Sequence, residues 1–402
     1  MVVVGAGFAG LSAAISLIDE GIDVVVVEAR ERVGGRVWST KLDNGAVVEL
    51  GAEWIMPDDD ALLALAARFR VATVEAGVDY RLREAWGPDA PSMDDQVAFL
   101  EAMQRARASV PDTRDRSLGD LIDETPGTDA QRTALRMRLQ GTCATDLDRV
   151  ASRTAASEDA LSSEPAVYRR MARGNQRLAV EIAYVLPDVR LGFSVDTIAR
   201  DASGVAVRSG PHVVRAGAAI VAVPAPIAAR LRYEPGLPPE LDTALRELPM
   251  GVASKLAVAT KGTPSCRARQ STELPMWCWA ADGKGGSPRR CVASFAGSEL
   301  AQDVLGTASG RPGPWLERLR AMNPDLELVG EPLMYSWAGD PYTLGSYAAW
   351  DDVSLDRAPL FQEPVERLIF AGEHTAGRGH AGGMDGAVRS GTRAARQVLE
   401  LS

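Results

Sequence analysis

The sequence predicts an α/β protein whose N-terminal part is a Rossmann-like dinucleotide-binding unit. Three observations carry that prediction. A β-branched run breaks into a G-x-G-x-x-G turn, an Ala/Leu-rich helix follows directly, and a second β-branched run ends in an acid. Val2–Val4 form the first strand, because β-branched side chains favour the extended, buried backbone. In Gly5-Ala6-Gly7-Phe8-Ala9-Gly10, Gly5 permits the tight turn and Gly7 lets the backbone approach a pyrophosphate. Gly10 lets the helix pack closely on the strand. Leu11 to Leu17 continue as a helix that stops at Gly21, and its N-terminus offers N–H groups and a positive dipole end. Asp23 to Val27 form the second strand. Glu28 ends it, eighteen residues after Gly10, where it can accept hydrogen bonds from both ribose hydroxyls. An ordinary βαβ turn has no need of an acid at that point.

Composition removes several function classes. The chain has 402 residues, is 46% hydrophobic and 24% charged, and so has ordinary globular usage with length for two or three domains. With 44 Lys+Arg against 54 Asp+Glu its formal charge is −10, which argues against nucleic acid and anionic membrane as partners. There are three histidines, and Cys143, Cys266, Cys278 and Cys291 include no C-x-x-C pair. No metal or dithiol site is expected, and a reducing compartment is. The N-terminus has no basic region of the signal-peptide kind. The longest apolar stretches are broken, as residues 216–230 are by Gly217, Pro224 and Pro226. A soluble, cytoplasmic protein is expected.

Beyond Glu28 come Ala29-Arg30-Glu31-Arg32-Val33-Gly34-Gly35-Arg36 and then Leu50-Gly51-Ala52-Glu53-Trp54. Adjacent glycines followed by arginine offer a second anion site, with Arg36 as a fixed charge for a diphosphate. These segments resemble the flavin-containing amine oxidases, the monoamine and polyamine oxidase family. The C-terminal stretch is similar to the same family's terminal signature: Ala371-Gly372-Glu373-His374-Thr375, then Met384-Asp385-Gly386-Ala387 opening a helix with Arg389, Arg393 and Arg396. The resemblance implies FAD as cofactor. Its contacts would come from Gly5, Gly7, Ala9, Gly10, Glu28, Ala29, Arg30, Gly34, Gly35 and Arg36. Further contacts would come from Leu50 to Trp54, Val195, Trp337, Gly372, Glu373, Gly383, Met384 and Ala387.

The resemblance also orders the middle. Gly174-Asn175-Gln176-Arg177-Leu178, a strand over 190–195 and a strand over 219–223 have family counterparts that complete the FAD domain. That domain is then discontinuous, residues 1–70, 170–248 and 345–402. An α+β substrate domain, 71–169 and 249–344, is interleaved with it. The periodicity predicts helices around 61–70 and 130–140.

Lys255, in Met250-Gly251-Val252-Ala253-Ser254-Lys255-Leu256, matches the family lysine that holds a water at the flavin, and is the leading catalytic candidate. Trp337-Ala338-Gly339-Asp340-Pro341 with Gly345-Ser346-Tyr347 is similar to polyamine-oxidase-like members. It places Trp337 near the isoalloxazine and Tyr347 on its substrate face. Two departures matter. Ser346 stands where some members carry the cysteine that anchors FAD, so FAD is expected to be noncovalent. Gly383 stands where amine-specific members carry a second aromatic wall, so a more open pocket is expected. That pocket suits a bulky amine, amide or natural-product-like substrate of the antibiotic-biosynthesis kind. Glu53 is a third candidate, either binding a cationic amine or acting as base; its alternative is a salt-bridged structural acid. His374 is expected to be structural and His212 superficial, with His380 in a glycine-rich loop. Trp277 and Trp279 are expected to pack the core rather than line a pocket.

The expected reaction removes a hydride from the carbon beside a substrate nitrogen to give an imine, with O2 reduced to H2O2. Small-molecule substrate and O2 are the expected partners, and a homodimer is left open. The nearest alternative is an L-amino-acid oxidase of indole or tryptophan type, which needs an arginine for the substrate carboxylate that the sequence does not place. A carbon-oxidising flavoenzyme and a non-catalytic flavin scaffold are weaker alternatives.

Overall fold

A computed structural model of the chain describes residues 1–108, 116–154, 162, 164–280, 290–377 and 379–400; Arg378, in the glycine-rich loop, lies outside them. Val2–Val4, Val25–Val27, Val189–Arg190, Ala219–Val221 and Leu368–Phe370 form one all-parallel sheet, with the first strand at its centre. Its strands are short and valine-rich. Helices cover it, so they read as continuous apolar runs rather than as alternation. The helix Phe8–Asp19 packs against the helix Met384–Glu400, which pins the two ends of the chain together. Small residues permit that approach: a Cβ on Gly391 would fall 2.1 Å from the Ala9 carbonyl oxygen. Ser12 Oγ donates to the Val388 carbonyl at 3.0 Å across the same contact.

A second sheet joins Thr197–Asp201, Gly204–Ser209 and His212–Ala216 as an antiparallel meander, with Arg232–Glu234 added in parallel. A third, six-stranded sheet runs in the order 328–336, 253–260, 291–297, 276–280, 267–271, 84–86. Its strand Ala253–Thr260 lies between two neighbours and is buried at every position. The helices Met93–Ala108, Leu118–Glu124 and Asp129–Cys143 pack around one cluster of their own. Two of them start on capping boxes, Ser117 with Asp120 and Thr128 with Gln131, which satisfy first-turn donors. The parallel sheet takes its strands from chain segments that flank those of the six-stranded sheet, so the chain passes between the two more than once.

One expected strand is corrected. Residues 190–195 are not continuous: extension ends at Arg190 and resumes at Thr197. Gly192 turns the chain at φ +66°, where a Cβ would meet the Glu31 carboxylate at 2.6 Å, and the Phe193 N–H returns to the Glu28 carbonyl at 2.8 Å. Val195 therefore sits in a connecting loop. The helices at Asp60–Arg68 and Asp129–Cys143 lie where periodicity predicts them, whereas Met93–Ala108 and Leu118–Glu124 had no such forecast. Among the described residues no helix is long and apolar enough to cross a membrane, and no cluster of His, Cys, Asp or Glu could hold a metal.

Candidate active site

A cavity of about 650 Å³ opens at the carboxyl ends of the parallel strands and reaches the six-stranded sheet. At the first of these ends the backbone dominates. Gly5 has φ +106° and a Cβ there would meet the Ala222 carbonyl oxygen at 2.7 Å, so only glycine turns the chain. Gly7 caps the helix Phe8–Asp19 without any side-chain hydrogen bond, and no acid sits in the first turn, so its N–H groups and dipole face the cavity. Gly7 and Gly34 form a parallel bridge, and the Gly34 N–H donates to the Ala6 carbonyl at 2.8 Å. The Glu28 carboxylate accepts from the Ala6 N–H at 2.8 Å and the Arg30 N–H at 2.9 Å, and each oxygen can accept one bond more.

Paired charges close the middle. Arg36 donates to the Ser346 carbonyl at 2.7 Å and to Glu373 Oε1 at 2.9 Å, while Glu373 Oε2 accepts from the Gly382 N–H at 3.0 Å. Arg30 pairs with Asp340 at 2.6 Å and lies over the Tyr342 ring. His374 is buried, its Nδ1 has no partner, and burial pulls its pKa down to about 4, so it is neutral at physiological pH. The helix Met384–Glu400 begins on the cavity wall beside Gly383, where an added Cβ would meet nothing within 4 Å.

Side chains build the far end. Lys255 projects from the buried strand Ala253–Thr260; its Nζ donates to the Gly51 carbonyl at 3.0 Å and pairs with Glu53 Oε2 at 2.8 Å. The other Glu53 oxygen accepts the Trp279 indole N–H at 3.3 Å. The Trp337 indole N–H donates to the Leu50 carbonyl at 2.7 Å, and Tyr347 donates to the Thr142 carbonyl at 2.5 Å. Burial raises the Tyr347 pKa well above its usual value, so the phenol stays protonated. Around these groups stand Trp54, Tyr80, Trp277 and Trp279, with Trp277 stacked on Trp279 at 4.1 Å.

Residues 8–399 match the family model for flavin-containing amine oxidoreductases. The chain belongs to that family. It is 30% identical to AofH of Mycobacterium tuberculosis, which carries the name flavin-containing monoamine oxidase, over 100% of this chain and 96% of that one. Putrescine oxidase in complex with putrescine superimposes with a TM-score of 0.81 at 24% identity, covering 99% and 98% of the two chains. Cyclohexylamine oxidase from Brevibacterium oxydans gives 0.85 at 20% identity with the same coverage. The chain is thus a flavin-dependent oxidoreductase acting on CH–N bonds with O2 as acceptor, on the amine oxidase fold, and its cofactor is FAD.

The residues present fit this cofactor. An uncapped helix N-terminus faces the cavity beside the bridged Gly7–Gly34 pair, and a Cβ on Gly35 would meet only the Gly7 backbone, at 3.3 Å. Glu28 ends the second strand as a ribose acceptor must. Ser346 Oγ donates to the Gly251 carbonyl at 2.9 Å and offers no thiol for attachment, so this amine oxidase holds FAD noncovalently.

Of the flavin contacts expected from the amine oxidase resemblance, Gly10 and Leu50 do not line the cavity. Gly10 packs against the turn, where a Cβ would fall 1.9 Å from the Gly5 carbonyl oxygen, and Leu50 acts through its carbonyl on Trp337. The remaining expected flavin contacts line it, as do Lys255 and Tyr347. Trp277 and Trp279, expected in the core, are buried yet form the cavity wall; their i, i+2 spacing puts both on one face of the strand Met276–Ala280, the signal that could have found them. Tyr80, Thr142 and Cys143 also line the cavity, and no local motif marks them.

Proposed function

We propose that this amine oxidase acts on a bulky, largely apolar amine or amide, a secondary-metabolite-type substrate, held against the aromatic wall. The observation that carries the reading is that wall: Trp54, Tyr80, Trp277, Trp279 and Tyr347 surround the space beside the Lys255–Glu53 pair. The chemistry that FAD would supply when bound is acceptance of a hydride from the carbon beside nitrogen, with the electrons passed on to O2 as H2O2. The rings orient the substrate body and exclude water, which strengthens every polar contact inside. Lys255 keeps one N–H beyond its two bonds and can hold a water for proton movement. Glu53, engaged by Lys255 and Trp279, fixes that ammonium rather than standing free as a base. The helix Met384–Glu400 begins on the cavity wall, where its positive dipole end would favour negative charge on a bound flavin. The imine then hydrolyses in water. The scarcity of cysteine, four in 402 residues with no C-x-x-C pair, supports a cytoplasmic setting.

An L-amino-acid oxidase draws less support. The described arginines on the cavity wall are Arg30 and Arg36, and each is paired, with Asp340 and Glu373. The test is the visible spectrum of purified protein, followed by anaerobic bleaching with bulky arylalkylamines, small aliphatic amines and L-amino acids, and by peroxide release in air. Bleaching by the bulky amines first, with flavin freed on denaturation, is expected. Bleaching by amino acids alone overturns the reading.

A further inference from the structure

Behind the aromatic wall lies a cation that the chemistry above does not use. Arg83 is fully buried, with its guanidinium carbon 3.8 Å from the Trp277 ring centre and 4.4 Å from that of Tyr80. Its Nε donates to the Tyr80 carbonyl at 2.8 Å and one terminal nitrogen donates to Gln270 Oε1 at 2.9 Å. The other terminal nitrogen has no partner. Among the described residues no carboxylate pairs with it. The titratable groups facing it are Tyr80, Tyr168 and Tyr347, with Arg138 of the helix Asp129–Cys143 close by. Asp79 stands toward Arg138 but already accepts the N–H groups of Arg81, Leu82 and Ala166. Burial lowers the pKa of both arginines, Arg138 to about 9 with Arg83 as its next cause, and a guanidinium keeps its charge under such a shift.

A charge so placed acts on the cavity through the rings. Trp277 cannot stack on Trp279 and on Arg83 with the same face, so the indole pair is backed by Arg83 on its far side, and both indoles line the cavity with Tyr80. The attraction of these rings for a cation is already engaged from behind, and a second cation at the wall would meet a like charge through low-dielectric material. The acids nearby do not reverse the sign. Glu53 is matched by Lys255 at 2.8 Å. Asp58 and Asp59 also lie on the cavity: Asp58 is exposed and screened by solvent and salt, and half-buried Asp59 accepts the Met56 N–H at 2.8 Å.

We infer that Arg83 sets specificity: this end of the cavity admits an amine whose remote end is neutral and rejects one that carries a second ammonium. The inference rests on the reading that the aromatic end receives the substrate. The test compares a linear monoamine with the α,ω-diamine of equal length, as kcat/KM on the FAD-loaded wild type, R83M and R83K. The expected result is a wild-type preference for the monoamine of about tenfold or more, expressed mainly in KM. R83M should lose most of that preference while R83K keeps it; a purely structural role would not separate the two variants in this way. R83Q, which retains a donor toward the Tyr80 carbonyl, takes the place of R83M if that variant does not hold flavin. Equal use of the two substrates by the wild type, or an unchanged ratio in the flavin-bound uncharged variant, overturns the inference. Either result leaves monoamine oxidation intact, whereas failure of every amine to bleach the flavin strikes the proposed function instead.

Discussion

At the dinucleotide end the cavity is formed by backbone and by charges already matched, Arg36 with Glu373 and Arg30 with Asp340. At the substrate end it is formed by rings and by one buried lysine–glutamate pair. On the proposed function, the difference lies in what each end recognises. A pyrophosphate is met by N–H groups, and only glycines let the chain come close enough. An apolar substrate body is met by area, which many arrangements of aromatic side chains can supply. The first end tolerates almost no added atom. The second tolerates changes of ring but not loss of a charge partner.

The sharpest way to break that contrast is a methyl group at the first end. A Cβ on Gly51 would fall 2.0 Å from the Arg36 carbonyl oxygen, which the Ala52 N–H already holds at 3.1 Å, so the backbone itself would have to move. Gly51→Ala is expected to yield little or no flavin-bound protein, read as the ratio of visible to ultraviolet absorbance. Full flavin occupancy would show that the close approach is not required.

Next in size is Lys255→Met. It takes from the buried Glu53 carboxylate its ammonium partner, and breaking a buried ion pair by removing one side costs about 3–5 kcal/mol. Turnover should fall by roughly a hundredfold or more if the ammonium assists proton movement. Denaturant unfolding and anaerobic flavin reduction separate the two effects. A cycle with Glu53→Gln should show strong coupling, since the partners touch.

What could be read from the sequence follows the same contrast. Gly5, Gly7, Glu28, Gly34, Gly35 and Arg36 are legible because backbone demands fix residue type at fixed spacing. The parallel sheet follows from the same segments. The substrate end has no such grammar. Tyr80 reaches the cavity beside the strand Glu84–Trp86, which pairs in parallel with Arg269–Ser271, nearly two hundred residues away in sequence; no local pattern announces that contact. Glu53 was legible as a candidate but not as the partner of Lys255, because it lies in the loop after the strand Val47–Glu49 and Lys255 on the strand Ala253–Thr260, 202 residues on. Net charge does not give the local field either: −10 overall coexists with the buried Arg83 guanidinium behind the aromatic wall. Distance and dielectric decide that field, and composition contains neither.

A smaller effect tests how the matched end responds to acid. His374 is buried neutral, with its pKa lowered by burial from 6.5 to about 4. The unfolded chain therefore binds this proton first, so stability is level above the unfolded value and falls as pH drops from about 6.5 toward 4. At about pH 5 the loss from this one group is roughly 2 kcal/mol. His374→Phe keeps a ring against Phe361, 5.7 Å away, and removes the titration. Its unfolding free energy should fall less between pH 7.5 and 5 than that of the wild type. Parallel pH profiles would mean that the histidine is solvated or paired in solution.

The smallest expected change is at the substrate end, where Tyr347 serves two elements at once. Its ring faces the cavity, while its hydroxyl bonds the Thr142 carbonyl, one of the last carbonyls of the helix Asp129–Cys143 that have no intrahelical donor. Tyr347→Phe keeps the ring and forfeits that bond, so a stability loss of about 1 kcal/mol is expected in denaturant unfolding. Apolar recognition resides in the ring, so KM for a bulky amine should change by less than about threefold, well below the effect at Lys255. Tyr347→Leu, which removes the ring as well, should raise KM further at similar stability. If Tyr347→Phe instead lowered kcat as Lys255→Met does, the hydroxyl rather than the ring would be the working part, and the substrate end would depend on one placed polar atom just as the dinucleotide end depends on its glycines.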